Sequence, residues 1–160
     1  MSWEHGLMKE HALIACHNRG DVLEIGYGMG IAANYIQSMS PVSHTIVESH
    51  GQVLHRLRPW AAQRDSVILV EGEWYQIRHQ LRKYDGVFFD TFNDDEYKRF
   101  GECAFDLVKP GGLITFWNSE PGPRNVYGLP ATYKRIEINP PKNTYFNFST
   151  YFVPKVRSKS

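Results

Sequence analysis

Long apolar runs are missing from this chain. Those present, such as the one around 87–89, are no longer than a strand, far short of the ~18–20 residues of a membrane span. Cysteine is scarce too: Cys16 and Cys103 are the two present, which excludes a disulfide scaffold. Charge of one sign is absent. Eighteen Lys and Arg face 17 Asp and Glu, a formal net charge of +1, without the basic excess of a general polyanion binder. The N-terminal Met-Ser-Trp-Glu-His has no signal-peptide layout. A soluble, cytoplasmic protein with no membrane or nucleic-acid partner is expected. The seven histidines form no His-x-x-x-His pair and have no nearby cysteine set, so no metal site is expected.

What is present points to one folded unit. The 160 residues are 42% hydrophobic and 14% aromatic, enough for a core and too apolar for disorder. No repeat or boundary divides them. A single domain is expected over 1–160, with an N-terminal helix over 3–18, a core over 21–153 and a frayed tail over 154–160.

Periodicity then gives an order of elements. Leu7, Met8, His11, Ala12, Ala15 and Cys16 share one face of the first helix. Strands are predicted at 21–26, 44–48, 66–71, 84–90 and 113–118. Helices are predicted between them at 31–37, at 53–60 up to Pro59, at 75–83, and from an Asn93 or Asp94 cap to 108. Lys109-Pro110-Gly111-Gly112 reads as a turn. Such alternation predicts an α/β fold: a Rossmann-like, doubly wound, mostly parallel sheet in three αβα layers. After Ser119 it fails. The stretch 119–131 is rich in Pro and Gly and reads as loop. Two strands, 132–138 and 145–153, form an antiparallel pair at the sheet edge.

In such sheets ligands sit beyond the carboxyl ends of the strands, at the switch point. The turn there is Glu24-Ile25-Gly26-Tyr27-Gly28-Met29-Gly30. Its glycines let the backbone turn sharply and approach a ligand. The spacing is G-x-G-x-G rather than the G-x-G-x-x-G of a pyrophosphate turn, which argues against a nicotinamide oxidoreductase. Glu48 ends the second strand about 20 residues on, where a carboxylate can take both ribose hydroxyls. Turn and carboxylate together point to a nucleoside cofactor.

These residues resemble the class I S-adenosylmethionine methyltransferases. Glu24 to Gly30 is similar to their E-x-G-x-G-x-G motif, and Leu107-Val108-Lys109-Pro110-Gly111-Gly112 to L-x-K-P-G-G. More narrowly, the chain resembles the guanidino N-methyltransferases, which act on guanidinoacetate or, in fungi, on the δ-nitrogen of protein arginine. The specific parts are Trp3-Glu4, E-G-E-W (Glu71 to Trp74) and Y-D-G-V-F-F-D-T-F (Tyr84 to Phe92). H-T-I-V-E-S-H, R-L-R-P-W and the closing F-x-x-x-Y-F-V-P carry the likeness over nearly the whole chain.

The resemblance implies S-adenosyl-L-methionine as cofactor and S-adenosyl-L-homocysteine as product. Gly26, Tyr27, Gly28, Met29, Gly30, Ile31 and Ala32 match the segment around its methionine part, with Met8 nearby. Glu48 would hold the ribose, Ser49 and His50 would flank it, and Trp74 and Tyr75 would border the adenine. Asp90, which also borders the cofactor, and Glu4 match the two carboxylates that grip a substrate guanidinium. Thr91, Phe92, Asn118 and Ser119 fall on the substrate side. Two features of the family are missing from the pattern: a lid segment ahead of Trp-Glu, since Trp3 already holds that place, and a helix that 119–131 is too short to contain. A more open site would admit an arginine side chain more easily.

The chemistry is consistent. A guanidinium stays protonated to above pH ~12, so it must lose a proton as its nitrogen is methylated. Paired carboxylates bind its planar fork, and one takes the proton. The expected activity is therefore N-methylation of a guanidino group, on a small molecule or an arginine. A methyltransferase for another small amine or acid and a catalytically inactive, cofactor-binding partner subunit are the alternatives. The exposed face near 119–131 leaves a homo-oligomer open.

Overall fold

Five strands are parallel: β1 (Asp21–Ile25), β2 (Ser43–Glu48), β3 (Val67–Glu71), β4 (Tyr84–Phe89) and β5 (Val108–Phe116). Two follow antiparallel, β6 (Thr132–Glu137) and β7 (Thr150–Arg157), giving the order β3-β2-β1-β4-β5-β7-β6. This is the doubly wound sheet the alternation predicts, in a computed structural model describing residues 3–91, 96–140 and 146–159. The order reverses between β1 and β4, so their carboxyl ends open onto the crevice where such folds bind ligands.

Central strands are buried on both faces, which is why they read as continuous apolar runs. Leu23, Ile25, Val87 and Phe89 face one core cluster, with Trp74 and Phe100. Val22 and Phe88 alternate to the other face, under α1 (Glu4–Ala15) and α2 (Ile31–Ser38). The first helix buries the predicted face, Leu7, Met8, His11, Ala12 and Ala15, with Cys16 just beyond its end. It lies very close to β4: a Cβ on Gly86 would fall 1.6 Å from the Ala15 carbonyl oxygen.

Several boundaries differ from expectation for identifiable reasons. α3 (Gly51–Ala62) runs through Pro59. His55 and Pro59 are both exposed, so the carbonyl that loses its partner lies on the solvent side, while Leu54, Leu57 and Ala61 keep one buried face. The helix expected over 75–83 shrinks to α4 (Trp74–Ile77) and a 3-10 turn (Arg78–Gln80), after which Leu81 packs on the core from an extended backbone. α5 (Glu96–Cys103) passes into a 3-10 turn at Ala104–Asp106. Its expected cap, Asn93 or Asp94, lies outside the described residues, as does Tyr145. The tail is not frayed: Val156 is fully buried opposite Ile114, and Ser158 N–H donates to the Gly112 carbonyl. One apolar residue among Lys, Arg and Ser gave no pattern to read.

Lys109-Pro110-Gly111-Gly112 is a bulge inside β5 rather than a turn before it, since Tyr84 pairs with Val108 and Gly86 with Leu113. Its Lys109 Nζ reaches Asp21 Oδ2 and Asp85 Oδ2, each at 3.0 Å, at the starts of β1 and β4. That is the end of the sheet away from the crevice. Lys109→Met is expected to lower Tm by about 2–4 °C, roughly 1 kcal/mol for an ammonium 41% exposed. Thermal scans alongside cofactor titration check it: unchanged cofactor affinity is expected, and a weakened one would show the bulge acting on the site.

Candidate active site

The crevice is built from strand ends tied together. Gly26 N–H donates to the Val47 carbonyl at 2.9 Å, Asp90 N–H to that of Ile25 at 2.8 Å, and Trp117 N–H to that of Phe89 at 3.0 Å. Gly26 has φ +94°, and a Cβ there would lie 1.9 Å from the Asp90 carbonyl oxygen. Glycine alone allows the first strand's turn and the residue after β4 to meet this closely. Arg56 of α3 secures the far side of the turn, Nη2 donating to the Gly28 carbonyl at 2.9 Å.

Above these ends lies a cavity of about 710 Å³. Of the residues expected at a site, it brings together Glu4, Met8, Gly26, Tyr27, Gly28, Met29, Ile31, Ala32, Asp90, Thr91 and Ser119. Gly30, which begins α2, is behind the lining: a Cβ there would meet the Tyr27 hydroxyl. Glu48 sits behind Tyr27. Its Oε1 accepts the Tyr27 N–H at 2.8 Å, and its Oε2 accepts the Ser49 and His50 N–H groups at 3.0 Å each. Ser49 and His50 thus act through their backbones, with both residues exposed.

Three expected residues are engaged elsewhere. Trp74 is enclosed in the core, its indole N–H donating to Glu96 Oε2 at 2.6 Å, so it does not line the cavity. Tyr75 carries the guanidinium carbons of Arg78 and Arg99 at 3.7 and 4.7 Å from its ring centre. Those cations occupy the ring a planar base would need. Asn118 is buried with Nδ2 donating to the Phe152 carbonyl and Oδ1 accepting from the Glu120 N–H. Phe92 lies outside the described residues.

Residues that the sequence did not single out complete the lining. Glu24 opens the glycine motif and was legible there. Tyr97 lies on α5 and Val126 and Tyr127 in the loop without periodicity, and nothing in their local sequence marks them. Tyr127 packs with its ring centre 4.1 Å from that of Phe116, and 117–131 contains no helix.

The electrostatics are one-sided. Glu4, Glu24 and Asp90 line the cavity, and Arg56 is the cation among its lining residues. Burial, then the charges of Glu24, Glu4 and Glu48, push the Asp90 carboxyl up to about 7. Burial also raises Glu24, against the pull of His44, whose Nε2 donates to Glu24 Oε1 at 2.9 Å. Gln37 Nε2 lies 3.0 Å from His44 Nδ1 and fixes that ring. Among the described residues, the Thr91 hydroxyl, buried in the wall, has no hydrogen-bond partner. A concave site with crowded carboxylates and an orphaned hydroxyl can receive a cation with hydrogen-bonding edges. Among the described residues, no group of three or more His, Cys, Asp or Glu could hold a metal ion, and no helix is long and apolar enough to cross a membrane.

The chain is similar to known proteins in sequence and in fold. The chain is 28% identical over 190 aligned positions to protein arginine N-methyltransferase 2 of Eremothecium gossypii, covering 98% of this chain and 46% of that protein. It is 31% identical over 135 positions to the same-named protein of Aspergillus fumigatus, covering 79% of this chain and 32% of that one. The chain therefore spans less than half the length of these relatives. Among solved structures, the N-methyltransferase NodS of Bradyrhizobium japonicum, in complex with S-adenosyl-L-homocysteine, superposes with a TM-score of 0.73 at 9% identity, over 99% of this chain and 88% of that one. The methyltransferase CcbJ of Streptomyces caelestis gives 0.60 at 24%, over 82% and 60%. Such distant likenesses establish the fold. The family model described as guanidinoacetate N-methyltransferase matches residues 1–121, three-quarters of the chain, and the chain belongs to that family.

Proposed function

We propose that this chain is an S-adenosylmethionine-dependent N-methyltransferase acting on a guanidino group, carried by a small molecule or by an arginine side chain. The observation that carries this reading is the grouping of Glu4 and Asp90 in one cavity beside the glycine turn, with Asp90 raised to about 7.

The chain's own residues suit the cofactor. Gly28 points its missing side chain into open space, so its backbone can be approached closely. Glu48 is held by three N–H groups, and Oε1, taking only one of them, keeps a lone pair for a ribose hydroxyl. Gly26, Tyr27, Gly28 and Met29 would border the methionine part, with Met8, Ile31 and Ala32 as apolar walls. When bound, S-adenosylmethionine supplies a methyl group made electrophilic by its sulfonium and leaves as S-adenosylhomocysteine.

Glu4 and Asp90 would hold the two edges of a guanidinium, and Thr91 and Ser119 would border the acceptor. Positioning the nitrogen in line with the methyl group accounts for much of the rate enhancement in such a reaction. As the new N–C bond forms, the guanidino nitrogen gives up a proton, and Asp90 is placed to accept it. A carboxylate with pKa near 7 is a stronger base than an ordinary one and is still substantially ionised at neutral pH. The family match, and the name protein arginine N-methyltransferase 2 of the fungal relatives, support the guanidino acceptor.

Two measurements test the reading. Methyl transfer should be seen with guanidinoacetate, arginine or arginine-containing peptides and not with simple amines. Log kcat/KM for the acceptor should rise with unit slope below pH 7 and level above it, because the proton on free Asp90 blocks cation binding and base action alike. A flat profile across pH 6–8 would remove Asp90 from that role. Cofactor binding without transfer to any guanidino compound would support the partner-subunit alternative instead.

A further inference from the structure

The helix that carries Glu4 and Met8 into the cavity is fixed by a buried polar device that the proposed chemistry does not use. Glu4, Met8 and His11 follow one stripe of α1 at i, i+4 and i+7, spanning about 10 Å of helix rise. Within the buried stripe His11 is the polar member; the others are Leu7, Met8, Ala12 and Ala15. Apolar contacts resist separation but define neither the rotation nor the axial register of a helix sharply. Hydrogen bonds do.

The bonds of His11 have one consistent direction. The Thr115 hydroxyl donates to the Pro154 carbonyl at 2.7 Å, so its oxygen accepts from His11 Nδ1–H at 2.7 Å. The Tyr151 hydroxyl accepts the Asn118 N–H at 2.8 Å, leaving its own proton for His11 Nε2 at 2.9 Å. The ring is therefore neutral, and burial holds its pKa down to about 3. It stacks on Phe88 of β4, with 4.6 Å between ring centres. One imidazole thus links α1 to β5 and β7, and through Tyr151 to the backbone of Asn118, immediately before cavity-lining Ser119.

We propose that His11 is a positioning residue: with Tyr151 and Thr115 it sets α1 against the end of β5, so that Glu4 faces the acceptor opposite Asp90. This inference rests on the reading of Glu4 as an acceptor-binding carboxylate. A displacement of the order of 1 Å at a reacting group can cost about 10²-fold in rate, so a small rotation of α1 is enough to matter.

The test is a double-mutant cycle in acceptor kcat/KM. Glu4→Gln in the wild-type background should lower it about 100-fold. His11→Leu, which fills the space without bonding, should lower it about 30-fold or more, and Glu4→Gln added to it should cost less than about 3-fold further. His11→Gln, whose side-chain carbonyl can accept from Tyr151, should recover part of the loss. Tyr151→Phe keeps the ring and should mimic His11→Leu if the leucine variant folds poorly. A full 100-fold Glu4→Gln penalty in the His11→Leu or Tyr151→Phe background overturns the positioning role and leaves the Glu4 reading intact. A silent Glu4→Gln in the wild type overturns both.

Discussion

Asp90→Asn is expected to lower methyl transfer about 10³-fold and, at pH 8, to make the protein more stable. The first effect follows from losing one arm of the guanidinium grip together with the proton acceptor, within the 10²–10⁴-fold range of general-base removal. The second follows from linkage. The folded-state pKa of Asp90, about 7, lies above its unfolded value near 4, so the native state binds more protons in between. Stability from this group is therefore present at low pH and is lost as pH rises from about 4 to 7. The amide carries no charge and escapes that loss, a gain of roughly 2 kcal/mol at pH 8 once residual solvent screening is allowed for. At pH 4 the two proteins should melt together. Melting curves at pH 4 and 8 check this, and an Asp90→Asn protein less stable at pH 8 would mean that the carboxylate is held by partners rather than crowded by other anions.

Gly26→Ala should be the most damaging single-methyl change in the crevice. Its backbone, at φ +94°, is one that L side chains rarely adopt, and the added carbon would fall 1.9 Å from the Asp90 carbonyl oxygen. The conformation alone costs about 1–3 kcal/mol, and the clash forces the turn and the residue after β4 apart. Tyr27 N–H would leave Glu48 in the same movement. Cofactor affinity is expected to fall at least 100-fold, about 3 kcal/mol, with a lower Tm. Calorimetric titration with S-adenosylhomocysteine measures it. An affinity within threefold of wild type would show that the turn does not shape the cofactor site.

How much of this was legible in the sequence depends on the range of the signal. The strands and the reversal of their order follow from apolar runs and glycine turns, which are local. The positions of Glu48, which ends β2, and Asp90, which follows β4, were legible because this topology sets the carboxyl ends of its strands at the crevice. Trp74 and Tyr75 illustrate the opposite case. Their place in a motif could not reveal that the indole bonds Glu96 or that Arg99 packs on the tyrosine ring, since both partners lie on α5. The helix expected over 75–83 gives way at Leu81, whose backbone is extended, and Pro59 was tolerated on an exposed face of α3. Tyr127 entered the site from a loop with no period. The His11 network spans 140 residues of sequence, and the histidine itself looked like one more core position on an apolar face.

The most direct test of guanidino methylation is to locate the transferred group. Purified chain, S-adenosylmethionine labelled with a deuterated methyl, and a panel of guanidinoacetate and an arginine-containing peptide would be incubated under single-turnover conditions, and the products sequenced by tandem mass spectrometry. Label on a guanidino nitrogen, absent with Asp90→Asn, is the predicted result. Label on an amine or carboxylate, or bound cofactor with no labelled product, would contradict it.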